Sequence, residues 1–383
     1  MNVKKIIILL LILGLIFCGG CWDWLILEDL AIIFGIGVDV VEEEPELFQV
    51  TFVNPVFVEE AEEIKTITTL RAFSLAQALI NLQHQKDLLP VLGKVDVLVF
   101  SEDAARSGAM HKILRQYNQV RENNPMSLIC IVRGVAARDV INLSPPEQPR
   151  NAVFLPDLLR QNFTNGRVPE VNALHYWTRY NTRGMTPVIP VIELAGPEEE
   201  DKGILLSGLA VIDEEGRMRG YLSDTETIMF MLLTGNMKRG RFYTHVNVQE
   251  QENRLVTAFI EKSAVKLDSR IQQGKPVITI NVDIILDGIN VDLSLEAHMH
   301  VKEDLFRDLE QALARDFQGN IRRVLKKSQA WEADIVGLGQ HVRVQHAGWF
   351  RDKDWGSEYS QGEINVETRV TIKRFGSLVN PNY

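Results

Sequence analysis

The residue best placed for covalent chemistry is Cys21, which follows two glycines at the end of an apolar run from Ile6 to Phe17. As a helix this run would span about 18 Å, short of the ~30 Å hydrocarbon core of a bilayer. With two lysines before it, the segment 1–20 is typical of a secretory signal peptide. Small residues directly before a cysteine resemble the bacterial lipobox, at which diacylglycerol is attached to the thiol and the chain is cleaved. We therefore predict that Cys21 carries lipid at the mature N-terminus.

Two features of this N-terminus leave alternatives open. Cys18 stands where a lipobox usually has leucine, so the alternative is a plain signal peptide with an incidental cysteine. Trp22 and Trp24 follow Cys21 without a polar linker, so the folded body is expected to begin close to the membrane. Their rings either lie at the lipid–water boundary or pack into the core. A stable anchor needs more than one acyl chain, such as a diacylglyceryl group with an amide-linked palmitate.

The other candidates for chemistry carry weaker signals. His298 and His300 share one strand face, and Glu296 is the nearest third ligand, but these residues do not form a metal motif. Cys130 lies in an apolar run and is expected to be a small buried side chain. The segment Gly337-Leu338-Gly339 lacks the third glycine of a dinucleotide site and predicts a turn. Motifs for hydrolases, zinc proteases and phosphate loops are missing, so we predict no enzyme activity, no cofactor and no metal.

The composition is that of an ordinary globular protein: 45% of the 383 residues are hydrophobic and 24% are charged. At ~150 residues per domain this length predicts two to three domains. The formal net charge is −10, and no segment is strongly basic. The phosphate contacts that dominate nucleic-acid affinity therefore have no source, which argues against a nucleic-acid partner.

Hydrophobic periodicity predicts strands and helices along the whole chain. In the first half, strands are predicted over Leu30–Val40, Leu47–Val53, Val95–Phe100 and Leu128–Val132, and helices over Thr69–Gln85, Ala104–Val120 and Leu155–Asn162, with the stretch Pro187–Ile192 after the last helix. In the second half, strands are predicted over Leu205–Ile212, Phe242–Gln249, Leu255–Leu267, Pro276–Leu286 and Ile364–Ile372, with a long helix over Leu305–Leu325. Asp287-Gly288 is a hairpin signal that predicts a turn after the fourth of these strands.

Ser223 and Glu226 fit a capping box that opens a helix with no polar residue from Ile228 to Leu233. A surface helix needs only one apolar stripe, so this helix must be covered on all sides. Either it is buried between two domains of the chain, or Met229 or Met231 faces a partner protein.

The predicted fold class is mixed α/β (α+β), a lipoprotein of two to three domains, each with a mixed sheet and packed helices. The acidic loop 196–203 is the best boundary because it combines a charge run with two glycines. The predicted divisions are a signal peptide over 1–20, an N-terminal mixed α/β domain over 21–197 and a C-terminal region over 203–383, itself a small middle domain over 203–250 and an antiparallel sheet plus long helix over 251–383.

Several stretches together resemble the Ger(x)C spore germination lipoproteins, the C subunits of GerA-type germinant receptors of endospore-forming bacteria. The resemblance covers essentially the whole mature chain. The matching stretches are Gly20-Cys21-Trp22-Asp23, Leu30-Ala31-Ile32, Gly35-Ile36-Gly37-Val38-Asp39, Gly93–Val99, Pro187–Pro190, Gly220-Tyr221-Leu222-Ser223 and Asp334-Ile335-Val336-Gly337-Leu338-Gly339 with Trp349 and Trp355. The segment Leu114–Asn124 departs from the family by lacking a charged run.

The resemblance implies a three-domain lipoprotein, anchored by its lipid to the outer face of the spore inner membrane. It implies a role in nutrient-triggered germination beside two integral-membrane partners, the A and B subunits of the receptor. The alternative is a solute-binding lipoprotein of a transporter, which should have a flexible linker after the cysteine and two similar β/α lobes. The sequence has neither feature.

Overall fold

The computed structural model describes residues 26, 29–41, 43–56, 65–143, 154–195, 203–248, 251–291, 303–375 and 378–379. Outside these ranges lie the predicted signal peptide, Cys21, the acidic loop, and His298 with His300 and Glu296. No helix in the described part of the chain is long and apolar enough to cross a membrane.

The strands, in chain order, are β1 (Leu30–Ile32), β2 (Gly35–Val41), β3 (Glu44–Pro55), β4 (Lys65–Ala72), β5 (Leu89–Val91), β6 (Val97–Ser101), β7 (Leu128–Arg133), β8 (Val188–Ala195), β9 (Gly203–Ile212), β10 (Met218–Ser223), β11 (Lys238–Val248), β12 (Gln251–Gln272), β13 (Lys275–Val291), β14 (Glu363–Ile372), β15 (Arg374–Phe375) and β16 (Leu378–Val379). The helices are α1 (Leu75–Lys86), α2 (Glu102–Ser107), α3 (Ala109–Gln119), α4 (Ala137–Ile141), α5 (Phe154–Thr164), α6 (Ala173–Tyr180), α7 (Asp224–Leu233), α8 (Glu303–Ala330), α9 (Leu338–Gln345), α10 (Ala347–Phe350) and α11 (Trp355–Gln361).

The first sheet has eight strands in the order β10-β9-β8-β7-β6-β2-β3-β4. Its centre, from β2 through β6 and β7 to β8, is parallel, and antiparallel strands flank it on both sides. Helices α1, α2, α3 and α6 pack on one face, and α4, α5 and α7 pack on the other. Both faces are covered, which explains why the strands over 97–100 and 128–132 are continuous apolar runs.

The second sheet has six strands, ordered β11-β12-β13-β15-β16, with β14 also paired to β13. Gln273 and Gly274, with φ of 51° and 79°, form the tight turn between β12 and β13. The long helix α8 covers one face through the predicted stripe, in which Leu313, Phe317 and Ile321 are fully buried. The mixed α/β class with helices packed on sheets is therefore confirmed.

Three predicted boundaries are wrong for identifiable reasons. Asp287-Gly288 is not a turn, because β12 is long enough to pair with β13 through this point, placing Gly288 opposite Phe259. The helix predicted over 104–120 is divided at Gly108, which adopts a left-handed φ of 83°. The helix predicted from Thr69 begins only at Leu75, because 65–72 pairs with β3 as β4.

Two further differences concern sheet geometry. The strand predicted over Leu30–Val40 is divided, because β1 leaves the main sheet and pairs with β5 while β2 pairs with β3 and β6. The C-terminal sheet is antiparallel from β11 to β13 as predicted, but β14 pairs in parallel with β13. The intervening helix α8 makes this parallel return possible, as in other crossover connections.

The stretch predicted as a middle domain is shared between the two sheets. Strands β9 and β10 extend the first sheet, whereas β11 is an edge of the second. Helix α7 connects β10 to β11. The predicted domain boundaries themselves stay a prediction.

Candidate functional site at the sheet junction

Helix α7 lies between the two sheets and is buried on every side. The residues from Ile228 to Leu233 are each at most 8% exposed, and one continuous hydrophobic cluster includes them together with residues of both sheets. The capping box is confirmed, because the Ser223 hydroxyl accepts the Glu226 N–H and the Glu226 carboxylate accepts the Ser223 N–H. Burial within the chain accounts for the apolar run. The alternative, in which Met229 or Met231 faces a partner, is wrong for the folded chain.

A first contact across the junction centres on Tyr221 of β10, and we call it the Tyr221 clamp. The guanidinium of Arg133 lies 4.2 Å from the Tyr221 ring centroid, and the ammonium of Lys327 from α8 lies 5.8 Å from the same centroid. The neighbouring residue, Gly220, has no room for a side chain, because a Cβ there would lie 2.4 Å from Cζ2 of Trp331. The stretch beginning at Gly220 therefore fits β10 of the first sheet against Trp331, the residue that follows α8.

Lys327 of this clamp also binds α7, the helix that lies between the two sheets. The Lys327 ammonium donates to the Glu226 carboxylate at 2.7 Å, and it lies 5.3 Å from the Trp331 ring. Glu226 therefore serves the capping box of α7 and an ion pair to α8 at once. The Lys327 side chain is about one-third exposed, so the ion pair adds little to stability. Its main effect is to fix the position of α8 relative to α7.

A second contact is built around Asp334, in the loop between α8 and α9, and we call it the Asp334 cage. Its carboxylate accepts the backbone N–H groups of Gly337, Leu338 and Gly339 at 2.7, 3.0 and 2.6 Å. It also accepts the indole N–H of Trp355 at 2.9 Å. Burial raises the pKa of Asp334, and the four hydrogen bonds oppose that shift. Gly337 has a left-handed φ of 87° and is the N-cap of α9, so only the first residue of the predicted turn at 337–339 lies outside a helix.

The Asp334 cage is joined to the first sheet by backbone and guanidinium contacts. The Thr186 N–H donates to the Asp334 carbonyl at 2.9 Å. The half-buried guanidinium of Arg179, on α6, donates to the carbonyls of Thr186 and Ile335. The loop at Gly184 touches the backbone of Gly339 so closely that a Cβ on Gly184 would lie 2.8 Å from a backbone carbon. The loop before β8 and the start of α9 are thus interlocked.

Burial has a further electrostatic consequence at this contact. It lowers the pKa of Arg179, while the neighbouring Asp334 opposes the shift. The Asp334 carboxylate therefore favours the charged form of the Arg179 guanidinium.

Beside these contacts lies a polar cleft of about 360 Å³ between the loop 180–187 and the loop before α11. Acidic residues line it at Asp213, Glu214, Glu332 and Asp354, with Asp334 at its inner side, and basic residues line it at Arg183 and Lys353. Arg183 donates to the carbonyls of Arg351 and Lys353. Among the described residues no group of three or more potential metal ligands is close enough to hold an ion.

The structure places one other sequence candidate and reveals one that the spacing did not single out. Cys130 is fully buried in β7, and burial raises the pKa of its thiol, so it fits the predicted small core side chain. Asp39 accepts the N–H groups of Ala137 and Arg138 at 2.7 and 3.2 Å and so caps α4. Burial raises the pKa of Asp39, and both bonds oppose the shift. The Gly-Ile-Gly-Val-Asp stretch provides both this cap and close packing of α4 on β2.

Known proteins match the chain along nearly its whole length. One family model, described as "Spore germination protein N-terminal domain", matches residues 23–194. A second, described as "Spore germination B3/ GerAC like, C-terminal", matches residues 207–376. The fold and these matches define the class as spore germination protein. Within that class the chain belongs to the GerAC family, as its sequence stretches indicated.

Individual relatives agree with this assignment. Spore germination protein KC of Bacillus subtilis (strain 168) is 22% identical over 407 residues, covering 99% of this chain and 97% of the relative. Spore germination protein B3 of the same organism is 24% identical over 385 residues, covering 94% and 95%. The crystal structure of the GerBC protein superposes with a TM-score of 0.58 at 18% identity, covering 88% of this chain and 96% of that one. This likeness shows the shared fold.

Proposed function

We propose that the protein is the lipid-anchored C subunit of a spore germinant receptor and acts in nutrient-triggered germination as a non-catalytic extracytoplasmic scaffold or signalling subunit. Its partners are the integral-membrane A and B subunits, and its place is the outer face of the spore inner membrane. The anchor is lipid on Cys21. Family membership supports the germination role, and the sequence around Cys21 supports the anchor.

The observation that carries the scaffold role is where the resemblance stretches lie. Gly220–Ser223 and Asp334–Gly339 form the Tyr221 clamp and the Asp334 cage, which both join the first sheet to the second. Buried, mutually satisfied polar groups favour one specific arrangement over others. Such a junction suits a protein whose two sheets move together as one rigid unit.

The same contacts support a non-catalytic role. An active site needs a perturbed titratable group that faces a substrate cavity with bonding capacity to spare. The Asp334 carboxylate already accepts four N–H groups, and the hydroxyl of Tyr359 is paired with Ser328 at 2.6 Å. These buried groups are therefore better suited to holding the fold than to chemistry.

The transporter alternative predicts two similar β/α lobes around a ligand cleft. The two sheets here differ in strand number, strand order and helix placement. Strand β1 begins at Leu30, nine residues after Cys21, so any linker between the two is short. These features favour the receptor subunit.

The test replaces Cys21 by alanine in spores that otherwise keep the receptor. Mass spectrometry of the mature N-terminal peptide should find diacylglycerol on Cys21 in the unaltered protein. Cys21→Ala should prevent lipidation and slow nutrient-triggered germination, while germination by a trigger that bypasses receptors stays normal. An unmodified Cys21, or cleavage at another position, would refute the anchor. Unchanged germination in the variant would refute its role in the response.

A further inference from the structure

One end of the first sheet presents exposed apolar side chains beside the point where the chain arrives from Cys21. The parallel strands β2, β6 and β7 all start at this end. The short strand β1, which precedes β2, pairs there with β5, so that Leu30 lies opposite Leu89. The loops 92–96 and 123–127, which lead into β6 and β7, lie at the same end.

Four large apolar side chains are exposed here, and we call this surface the apolar end. Ile26 is 52% exposed, Leu89 39%, Met126 51% and Leu174 51%. Their backbones are tied to this end of the fold: Asp29 N–H donates to the Ile26 carbonyl, and Leu174 N–H donates to the carbonyl of Pro125. The Met126 sulfur lies 3.8 Å from the Asn172 amide nitrogen at the start of α6. Leu89 and Leu174 thus belong to β5 and α6, and Met126 lies in the turn before β7.

The position of the tether limits how far this end can lie from a bilayer. Asp29 comes eight residues after Cys21, and a fully extended chain of that length spans at most about 28 Å. If the Cys21 thiol carries lipid, β1 must stay within that distance of the lipid headgroups. Exposed apolar side chains at such a position gain free energy by entering the interface, which is the physical basis of peripheral membrane contact.

We propose that the apolar end is a bilayer-contact surface, through which Leu89, Met126 and Leu174 enter the lipid interface. This inference rests on the proposed lipid anchor at Cys21. The acyl chains hold the protein at the membrane, and the apolar end fixes its orientation, with the start of the parallel strands facing the lipid. The second sheet is then held at a defined height and angle.

The experiment uses the full lipidated chain, reconstituted into vesicles of equal parts phosphatidylglycerol and phosphatidylethanolamine. Leu89, Met126 and Leu174 are replaced by cysteine one at a time and labelled with an environment-sensitive fluorophore. The native thiols do not interfere, because Cys130 is fully buried and the Cys21 thiol is occupied by lipid. Leu255→Cys on β12 and Val344→Cys on α9, at positions 45% and 80% exposed, are the matched controls.

We expect labels at the apolar end to shift to shorter wavelengths and to be quenched by brominated lipids, while the two controls are quenched only by aqueous iodide. Iodide quenching at all five positions, in protein that floats with the vesicles, would overturn the contact surface and leave the anchor intact. Protein that fails to float would contradict the anchor, and the contact surface with it. The sites are exposed, so unfolding of the variants is not expected, and their melting temperatures check this.

Discussion

The indole nitrogen of Trp355, at the first residue of α11, donates a 2.9 Å hydrogen bond to the carboxylate of Asp334, in the loop before α9. The same ring stands against Gly339, where a Cβ would lie 2.6 Å from the indole nitrogen. One tryptophan therefore contacts both the carboxylate and a glycine of the Asp334 cage. The loop that touches the first sheet depends on this contact for its shape.

Replacing Asp334 by asparagine should destabilise the fold strongly. The amide retains one acceptor oxygen and turns an NH2 group toward backbone donors, and hydrogen bonds to a charged group are worth about 1.5–3 kcal/mol each. We expect the free energy of unfolding to fall by at least ~2 kcal/mol in urea titrations of the mature chain. Asp354→Asn, at an exposed residue whose side chain makes no cap bond, is the control and should change little. Equal stabilities would contradict the cage.

Gly220→Ala tests the close approach of β10 to Trp331, directly after α8. A Cβ there would lie 2.4 Å from Trp331, and forced overpacking of this kind costs about 1–3 kcal/mol. Gly319→Ala, in α8 with no atom within 4 Å of the added Cβ, should instead stabilise the protein by up to about 1 kcal/mol. Chemical unfolding measures both. If Gly220→Ala is neutral, the steric explanation for this glycine is wrong.

Met231→Glu tests whether α7 is core. Met231 is 2% exposed, and an unpaired charge buried there should lower the free energy of unfolding by several kcal/mol. Thr225→Glu, on the exposed first turn of the same helix, places the same charge where the helix dipole favours it and should be neutral or slightly stabilising. A Met231→Glu protein that melts like the wild type would show that the helix opens to a surface.

His111 should make stability depend on pH. Its Nδ1 lies 2.7 Å from the Tyr176 hydroxyl, and burial first, then Arg115, lower its pKa below 6.5, with Asp213 opposing. Below pH 6.5 the unfolded chain binds a proton that the folded protein resists, so the free energy of unfolding falls as pH falls through this window. His111→Gln should reduce the dependence of the free energy of unfolding on pH. His84→Gln, on the exposed side of α1, is the control and should leave that dependence unchanged. If the pH dependence persists in His111→Gln, a group other than His111 causes it.

Much of the fold was predictable because burial imposes regular patterns. The buried parallel strands appear as apolar runs, the stripe of α8 repeats every four residues, and the capping box at Ser223 has a local spacing. Asp287-Gly288 wrongly predicted a turn, because β12 is long enough to pair with β13 through this point. No local sequence pattern reveals the length of β12. The division at Gly108 and the separate pairing of β1 likewise depend on partners distant in the sequence.

The junction was only partly predictable. The stretch from Asp334 to Gly339 was singled out by resemblance and interpreted as a turn, and the aspartate with glycines three and five residues later is a local signal for a carboxylate binding backbone N–H groups. Its contact with Arg179 and Gly184 could not be inferred, since about 150 residues separate the two loops. The clamp between Tyr221, Arg133 and Lys327 depends on three separate segments for the same reason.

The proposed role as a receptor subunit is tested most directly by what this chain binds in the spore. The measurement is affinity purification of the tagged, lipidated chain from detergent-solubilised spore membranes, followed by mass spectrometry, with Cys21→Ala as the matched control. We predict that two integral-membrane receptor subunits co-purify with the lipidated chain and are depleted in the control. Co-purification of a transporter permease, or recovery of the chain with neither receptor subunit, would contradict the proposed role as a receptor subunit.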